Sequence, residues 1–237
     1  MQIIQSTSNS PSFNLAAEEY LFSSQTDDLL FLYVNKPSVI VGSNQVVQNE
    51  VDVEFCRENN VEILRRMSGG GAVYHDLGNL NYCFITNRVE GKSALNADFL
   101  QPIVEVLHAL NVSVSIGVRK DLWLPGVFKV SGTASHVNKN RELHHGTLLI
   151  DTNLDNLHKT LSPKNKNLLI KGTASVPSKV KNINAFLQES GSMFFIPEFL
   201  REIELYFQTT IQNIENTEEI QQLAETKYKS EEWNFKK

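Results

Sequence analysis

The sequence predicts an α/β (α+β) domain: a mixed, largely antiparallel sheet with helices packed against it. Three observations point there. Short apolar runs recur without the regular strand–helix–strand alternation of a parallel doubly wound sheet. Helical apolar spacings are interspersed among them, notably at 97–110 and after Pro197. The chain has 237 residues and 41% hydrophobic content, which suits one sizeable core, so a single domain over 1–237 is expected.

Taken in order, Ser12 is a candidate cap for a helix over 13–22, with Leu15, Ala16, Glu19 and Tyr20 at helical spacing. Apolar runs at 29–34 and 39–41 read as strands, turned by Lys36, Pro37 and Ser38. Val51, Phe55 and Cys56 mark a helix face that ends near Asn59 and Asn60. Strands follow at 61–64 and 80–85. The amphipathic helix at 97–110 leads to a strand at 112–118 and then a hairpin around Pro125 and Gly126. A strand at 143–150 and a short helix at 154–161 precede the helix that carries Phe199, Leu200, Ile203, Tyr206 and Phe207.

Composition narrows the function. A net charge of −5 does not favour bulk nucleic-acid binding, and no apolar run reaches membrane-spanning length. The first ten residues lack the basic-then-apolar layout of a signal, and the two cysteines, Cys56 and Cys83, have no metal-like spacing, so a reducing, cytoplasmic setting is expected. Both cysteines sit in apolar patterns and read as core.

Three segments carry chemistry. Arg65, Arg66, Met67 and Ser68 precede three consecutive glycines, Gly69 to Gly71, followed by Ala72, Val73, Tyr74, His75 and Asp76. Glycine loses the most backbone freedom on folding, so such a run implies a tight bend that approaches a ligand. Amide N–H groups and guanidinium beside it suit an anion. The spacing fits neither a dinucleotide fingerprint nor a P-loop. In the second segment, Lys129 lies on a strand with Phe128 and Val130 turned to the core, and Ser131, Gly132, Thr133 and Ala134 follow. A lysine so fixed can neutralise a carboxylate or phosphate, though most lysines are solvated. In the third, His144 and His145 point to opposite faces of a strand, so they cannot jointly hold one metal. A further feature is the stretch 156–188, which has lysines at 159, 164, 166, 171, 179 and 181 and no acid; it is either a solvated face or a dock for an acidic partner.

Together these segments resemble the signature of the lipoate–protein ligase A family, within the biotin/lipoate ligase superfamily. The likeness runs from Phe13-Asn14-Leu15-Ala16-Ala17-Glu18-Glu19 through Asn35 to Gly42 and Lys171 to Val176, and reaches Glu232-Trp233-Asn234-Phe235. It implies a catalytic-domain fold related to biotin ligases and class II synthetase cores. It implies ATP and Mg²⁺, a lipoyl-adenylate intermediate, and transfer to a lysine of lipoyl domains. Those domains belong to 2-oxo-acid dehydrogenase acyltransferase subunits and the glycine cleavage H protein. Carried over by motif, Lys129 is the catalytic residue. Arg66, Ser68, Gly70, Gly71, Ala72, Val73, Tyr74, Asp121 and His145 join it in binding ATP or the adenylate, Asp121 lies near Mg²⁺, and Gln45 helps to hold the site. Lys120 stands where the family pattern leads one to expect asparagine. The resemblance also leads one to expect a smaller accessory domain after the Trp-Asn-Phe segment, and the sequence stops at Lys237, so that domain is expected to be absent or separately encoded. The alternative reading is an ATP-independent lipoyl or octanoyl transferase, or a transferase using preformed lipoyl-AMP.

Overall fold

The computed structural model describes residues 1–89, 98–164, 172–214 and 217–236. Ala97, the expected start of a helix, and Lys166 and Lys171 of the lysine run lie outside the described residues.

The fold begins with β1 (Gln2–Gln5), α1 (Pro11–Ser24), β2 (Leu29–Val34) and β3 (Ser38–Val41). Two short helices, α2 (Val47–Glu50) and α3 (Val53–Glu58), lead to β4 (Glu62–Arg65), β5 (Val73–His75) and β6 (Asn79–Asn87). After α4 (Gln101–Ala109) come β7 (Ser115–Ile116), β8 (Leu122–Leu124), β9 (Phe128–Ser131), β10 (Thr133–Val137) and β11 (Arg141–Leu149). The remaining elements are α5 (Leu154–Thr160), α6 (Ile183–Leu187), α7 (Ile196–Phe207), β12 (Gln212–Asn213), α8 (Glu218–Leu223) and α9 (Glu231–Asn234).

A six-stranded sheet runs in the order β10-β11-β6-β2-β1-β12, antiparallel from β10 to β2 and parallel from β2 to β12. Two three-stranded sheets, β4-β3-β5 and β7-β8-β9, flank it. The expected mixed, largely antiparallel architecture is what forms. Period-two alternation explains why β2 is buried on both sides. Leu30 and Leu32 face a core shared with Tyr82, Phe84, α4 and α7, whereas Leu29, Phe31 and Tyr33 face one shared with α1 and α8. A third core joins β3 and β5 through Val39, Val41 and Tyr74.

Two boundaries differ from expectation. The first helix is capped by Ser10, whose hydroxyl accepts from Phe13 N, and Ser12 lies inside its first turn. Pro11 at the first helical position has a φ already suited to the helix and no N–H to satisfy. The strand expected at 112–118 shortens to Ser115–Ile116, because the chain then turns back: Gly117 N donates to Asp121 O at 2.8 Å and Lys120 has φ 60. Asparagine enters this left-handed region more readily than lysine, which gives the expected asparagine a backbone rationale.

Arg65 closes the domain. Its side chain is wholly buried and donates to the carbonyls of Gly42, Ser43, Gln45, Trp233, Asn234 and Lys236. Trp233 Nε1 returns a hydrogen bond to Arg65 O at 2.8 Å. The paired arginines of the glycine motif thus divide their work, one tying down the final segment and the other facing the site.

Candidate active site

Between the small β4-β3-β5 sheet and the β9–β11 region lies a cleft with two lobes. The inner lobe is about 340 Å³ and the outer about 320 Å³. They share Ala72, Val73, Lys129, Gly132, Thr147, Ser175 and Val176, so Lys129 stands at their junction.

Lys129 is fixed there by its backbone. Its N–H donates to Lys179 O at 2.8 Å and its C=O accepts from Lys181 N at 3.3 Å. The next corner is pinned as well, since Gly132 N donates to Thr147 Oγ1 at 3.1 Å. Lys129 Nζ lies 3.1 Å from Asp121 Oδ2, and Arg119 is 3.8 Å from the same oxygen. Burial pushes the Asp121 carboxyl up, but hydrogen bonds from Trp123 and Lys129 outweigh it and hold the group below the usual value. Asp121 is therefore a carboxylate at neutral pH.

Gly70 adopts φ +87, a conformation open to glycine and strained for other residues. Around this bend, Arg66 is wrapped by the loop. Its Nε donates to Ser68 Oγ at 2.9 Å, Nη1 to Ile40 O at 2.9 Å, and Nη2 to Gly69 O at 2.6 Å and Gly71 O at 2.8 Å. Burial lowers the Arg66 pKa to about 10, so it stays charged. Ser175 Oγ supports the loop from outside, accepting from Ala72 N at 2.9 Å, and is itself held by Gln45 Nε2 at 3.1 Å.

Arg66, Gly70, Gly71, Ala72, Val73, Asp121, Lys129 and His145 all line the inner lobe. Ser68 is fully buried behind the wall, and the Tyr74 ring packs with Val39 and Val41 while edging the outer lobe. As expected, the two histidines diverge. His144 turns to Ser135 and Glu142, and His145 turns inward.

The sequence placed Glu18 and His75 within its motifs but gave neither a role. Glu18, only 1% exposed on α1, accepts from Tyr33 OH at 3.0 Å and faces His145 Nδ1 at 3.0 Å. A carboxylate only accepts, so His145 Nδ1 carries the proton and Nε2 accepts from Ser68 Oγ at 2.7 Å. The proton order runs Arg66 to Ser68 to His145 to Glu18, and every donor points the same way along it. An acid among the mostly apolar buried residues of α1, one turn after Asn14, was the available signal for Glu18.

His75 is buried and neutral: burial above all, with Arg66 and His145 nearby, lowers its pKa from 6.5 to about 3. Its depressed folded value has a thermodynamic consequence. The stability linked to His75 is complete above about pH 6.5 and is lost as pH falls toward 3, since the unfolded chain takes up a proton that the native one refuses. Replacing it by Leu is expected to flatten the stability–pH slope in that window by up to about 1.4 kcal/mol per pH unit. Urea unfolding of both proteins across that range measures this, and identical slopes would show that His75 protonates in the native state.

Neither cysteine is a nucleophile. Burial raises the Cys83 thiol far above its ordinary value and that of Cys56 to about 12. Of the lysine run, Lys164 pairs with Glu54 at 2.6 Å, Lys181 with Glu189, and Lys159 lies 5.9 Å from the Phe55 ring centre. Much of that charge is thus engaged within the chain.

The model of the lipoyl protein ligase A/B catalytic domain matches residues 10–207. The chain belongs to that family. Among its lipoyl ligase relatives, lipoate-protein ligase LplJ of Bacillus subtilis is 37% identical over 96% of this chain and 71% of its own length. A bi-partite lipoate protein ligase from Thermoplasma acidophilum, described with its E2 lipoyl domain, superposes with TM-score 0.78 at 28% identity, over 99% of this chain and 95% of that one. A lipoate-protein ligase A bound with ATP superposes with TM-score 0.77 at 26% identity, over 99% of both chains. The expected ligase catalytic fold is borne out by these likenesses.

Proposed function

We propose that this chain is a lipoate–protein ligase, activating lipoate with ATP and transferring the lipoyl group to a lysine of a lipoyl domain. One observation carries the reading: Lys129 stands where two lobes meet, within reach of what each would hold. The inner lobe, walled by Leu15, Ile40 and Val73, suits an acyl chain, and the outer lobe suits the nucleotide.

In the first step a carboxylate oxygen attacks the α-phosphorus and pyrophosphate leaves. Two anions must approach, so an ammonium between them stabilises the charge that accumulates on the phosphoryl oxygens. Asp121 keeps that ammonium aimed at the junction. The backbone of Gly70, Gly71, Ala72 and Val73 lies along the adenylate, while Arg66, Ser68 and His145 hold that backbone in place. In the second step the lysine amine of the partner attacks the acyl carbon. An amide forms, AMP leaves, and the amine loses its proton.

Asp121 fits Mg²⁺, a hard cation that takes one or two carboxylates together with substrate phosphate oxygens. When bound, the ion would neutralise triphosphate charge. In our reading the acceptors are lipoyl domains of 2-oxo-acid dehydrogenase acyltransferase subunits and the glycine cleavage H protein, met in the cytoplasm. Among the described residues no helix is long and apolar enough to cross a membrane. Cysteine-based transfer is disfavoured because Cys83 is sealed in β6 with a raised pKa.

Lipoate-dependent exchange of pyrophosphate into ATP tests this reading. The expected result is exchange that requires both lipoate and Mg²⁺ and a lipoyl-domain mass gain when acceptor is added. No exchange and no mass gain, with an accessory domain supplied, would sink it.

A further inference from the structure

The buried end of the inner lobe holds a polar group that adenylation does not use. Leu15, Tyr33, Ile40, His75 and Asn81 line the inner lobe and not the outer one, and all five are buried. Most of that surface is apolar or spent. Tyr33 OH is donated to Glu18, and Asn81 Oδ1 accepts from Asn79. His75 is different: among the described residues its Nε2 has no hydrogen-bond partner.

The proton on that nitrogen is fixed from behind. Asn14 Nδ2 lies 2.9 Å from Ser8 O, and a backbone carbonyl only accepts, so this side of Asn14 is its amide nitrogen. The same nitrogen donates to Asn35 Oδ1 at 2.8 Å. That orients Asn35 so that its own amide nitrogen faces His75 Nδ1 at 3.0 Å. Nδ1 is therefore the acceptor, and Nε2 bears the hydrogen. Asn14 and Asn35 are both fully buried, so the chain of donors has no solvent route to reorient.

We infer that His75 is a specificity-determining residue whose fixed Nε2–H, set by Asn14 and Asn35, recognises the sulfur-bearing ring at the far end of the acyl chain. The inference rests on the ligase reading and adds which acid is selected. A carboxylate is drawn to the charged Lys129 ammonium instead, since His75 offers one neutral N–H and Arg66 spends four of its five N–H groups on Ile40, Ser68, Gly69 and Gly71. The carboxylate therefore stays at Lys129 and the tail reaches His75. A ring sulfur is a polarisable weak acceptor that suits an N–H and an aromatic edge, whereas the methyl end of a plain alkyl acid leaves the donor unpaired in an apolar pocket.

The test compares lipoate with octanoate in ATP–pyrophosphate exchange for wild type, His75→Leu and Asn35→Asp, at alkaline pH where the imidazole is uncharged. Asn35→Asp keeps the volume but accepts from Nδ1, so Nε2 turns from donor to acceptor and faces sulfur lone pairs. The lipoate-to-octanoate ratio of kcat/KM is expected to fall roughly fivefold in both variants, through the KM for lipoate, with kcat kept. Damage to the fold would depress both acids alike and leave the ratio unchanged. An unchanged ratio in both variants overturns the assignment while leaving the ligase reading intact. Exchange with neither acid in the wild type, with an accessory domain supplied, overturns both.

Discussion

Lys129→Ala is expected to lower acyl-adenylate formation by about 10²-fold or more while the protein remains folded. The side chain is partly open to the cleft, and its structural neighbours are bound through main-chain atoms that alanine retains. Lys179 O still accepts from the amide at 129, and Lys181 N still donates to the carbonyl. What disappears is the ammonium at the junction, together with the counter-charge of Asp121, 3.1 Å away. The loss should fall on kcat for adenylation, because charge gathers on the phosphoryl oxygens only as the carboxylate attacks. It should be smaller for transfer from supplied lipoyl-AMP, where the two anions are already joined. Single-turnover measurement of both half-reactions separates these. A wild-type adenylation rate in Lys129→Ala would remove the lysine from the mechanism, and equal losses in both half-reactions would place its action in binding instead.

Much of this site was legible in the sequence because its parts are local. A glycine run bends where it stands, and a lysine on a strand between two core-facing residues has one direction left to point. The triple glycine, Lys129, Asp121 and His145 do meet at one cleft. The groups that escaped notice depend on long-range packing. Glu18 lies in α1 and reaches His145 across the core, and Arg65 finds its carbonyl partners in the segment near the end of the chain. No local period encodes such pairs. The same holds for Asn14 and Asn35, whose side chains matter only because α1, the end of β2 and β5 converge beside His75. The fold was readable to a similar depth. Apolar runs marked β2, β6 and β11, whereas β1 and β12 are short, join the sheet edge in parallel, and have no run long enough to detect.

The second large effect is expected at Arg66, and its form decides between two roles. The family resemblance put this arginine against the adenylate. The geometry commits its guanidinium to Ser68 Oγ and to the carbonyls of Ile40, Gly69 and Gly71. Of its five N–H donors four are so engaged, leaving one for a ligand. Arg66→Ala would then strip the inside of the glycine bend and orphan three carbonyls and a hydroxyl. Water from the cleft relieves part of that, so the net destabilisation is expected to be roughly 2–4 kcal/mol. For a chain of this size that lowers Tm by roughly 5–15 °C. With Gly70 released from its φ of +87, the amides of 71–73 lose their fixed direction, and KM should rise for ATP and lipoate together. Arg66→Lys should rescue little, because a single ammonium cannot span acceptors that a planar fork reaches at once. Calorimetry of the free variant and initial rates with each substrate varied in turn measure all of this. An unchanged Tm with a rise in the KM for ATP alone would return Arg66 to direct phosphate binding. A fall in Tm with both KM values raised makes it the post around which the glycine loop is wound.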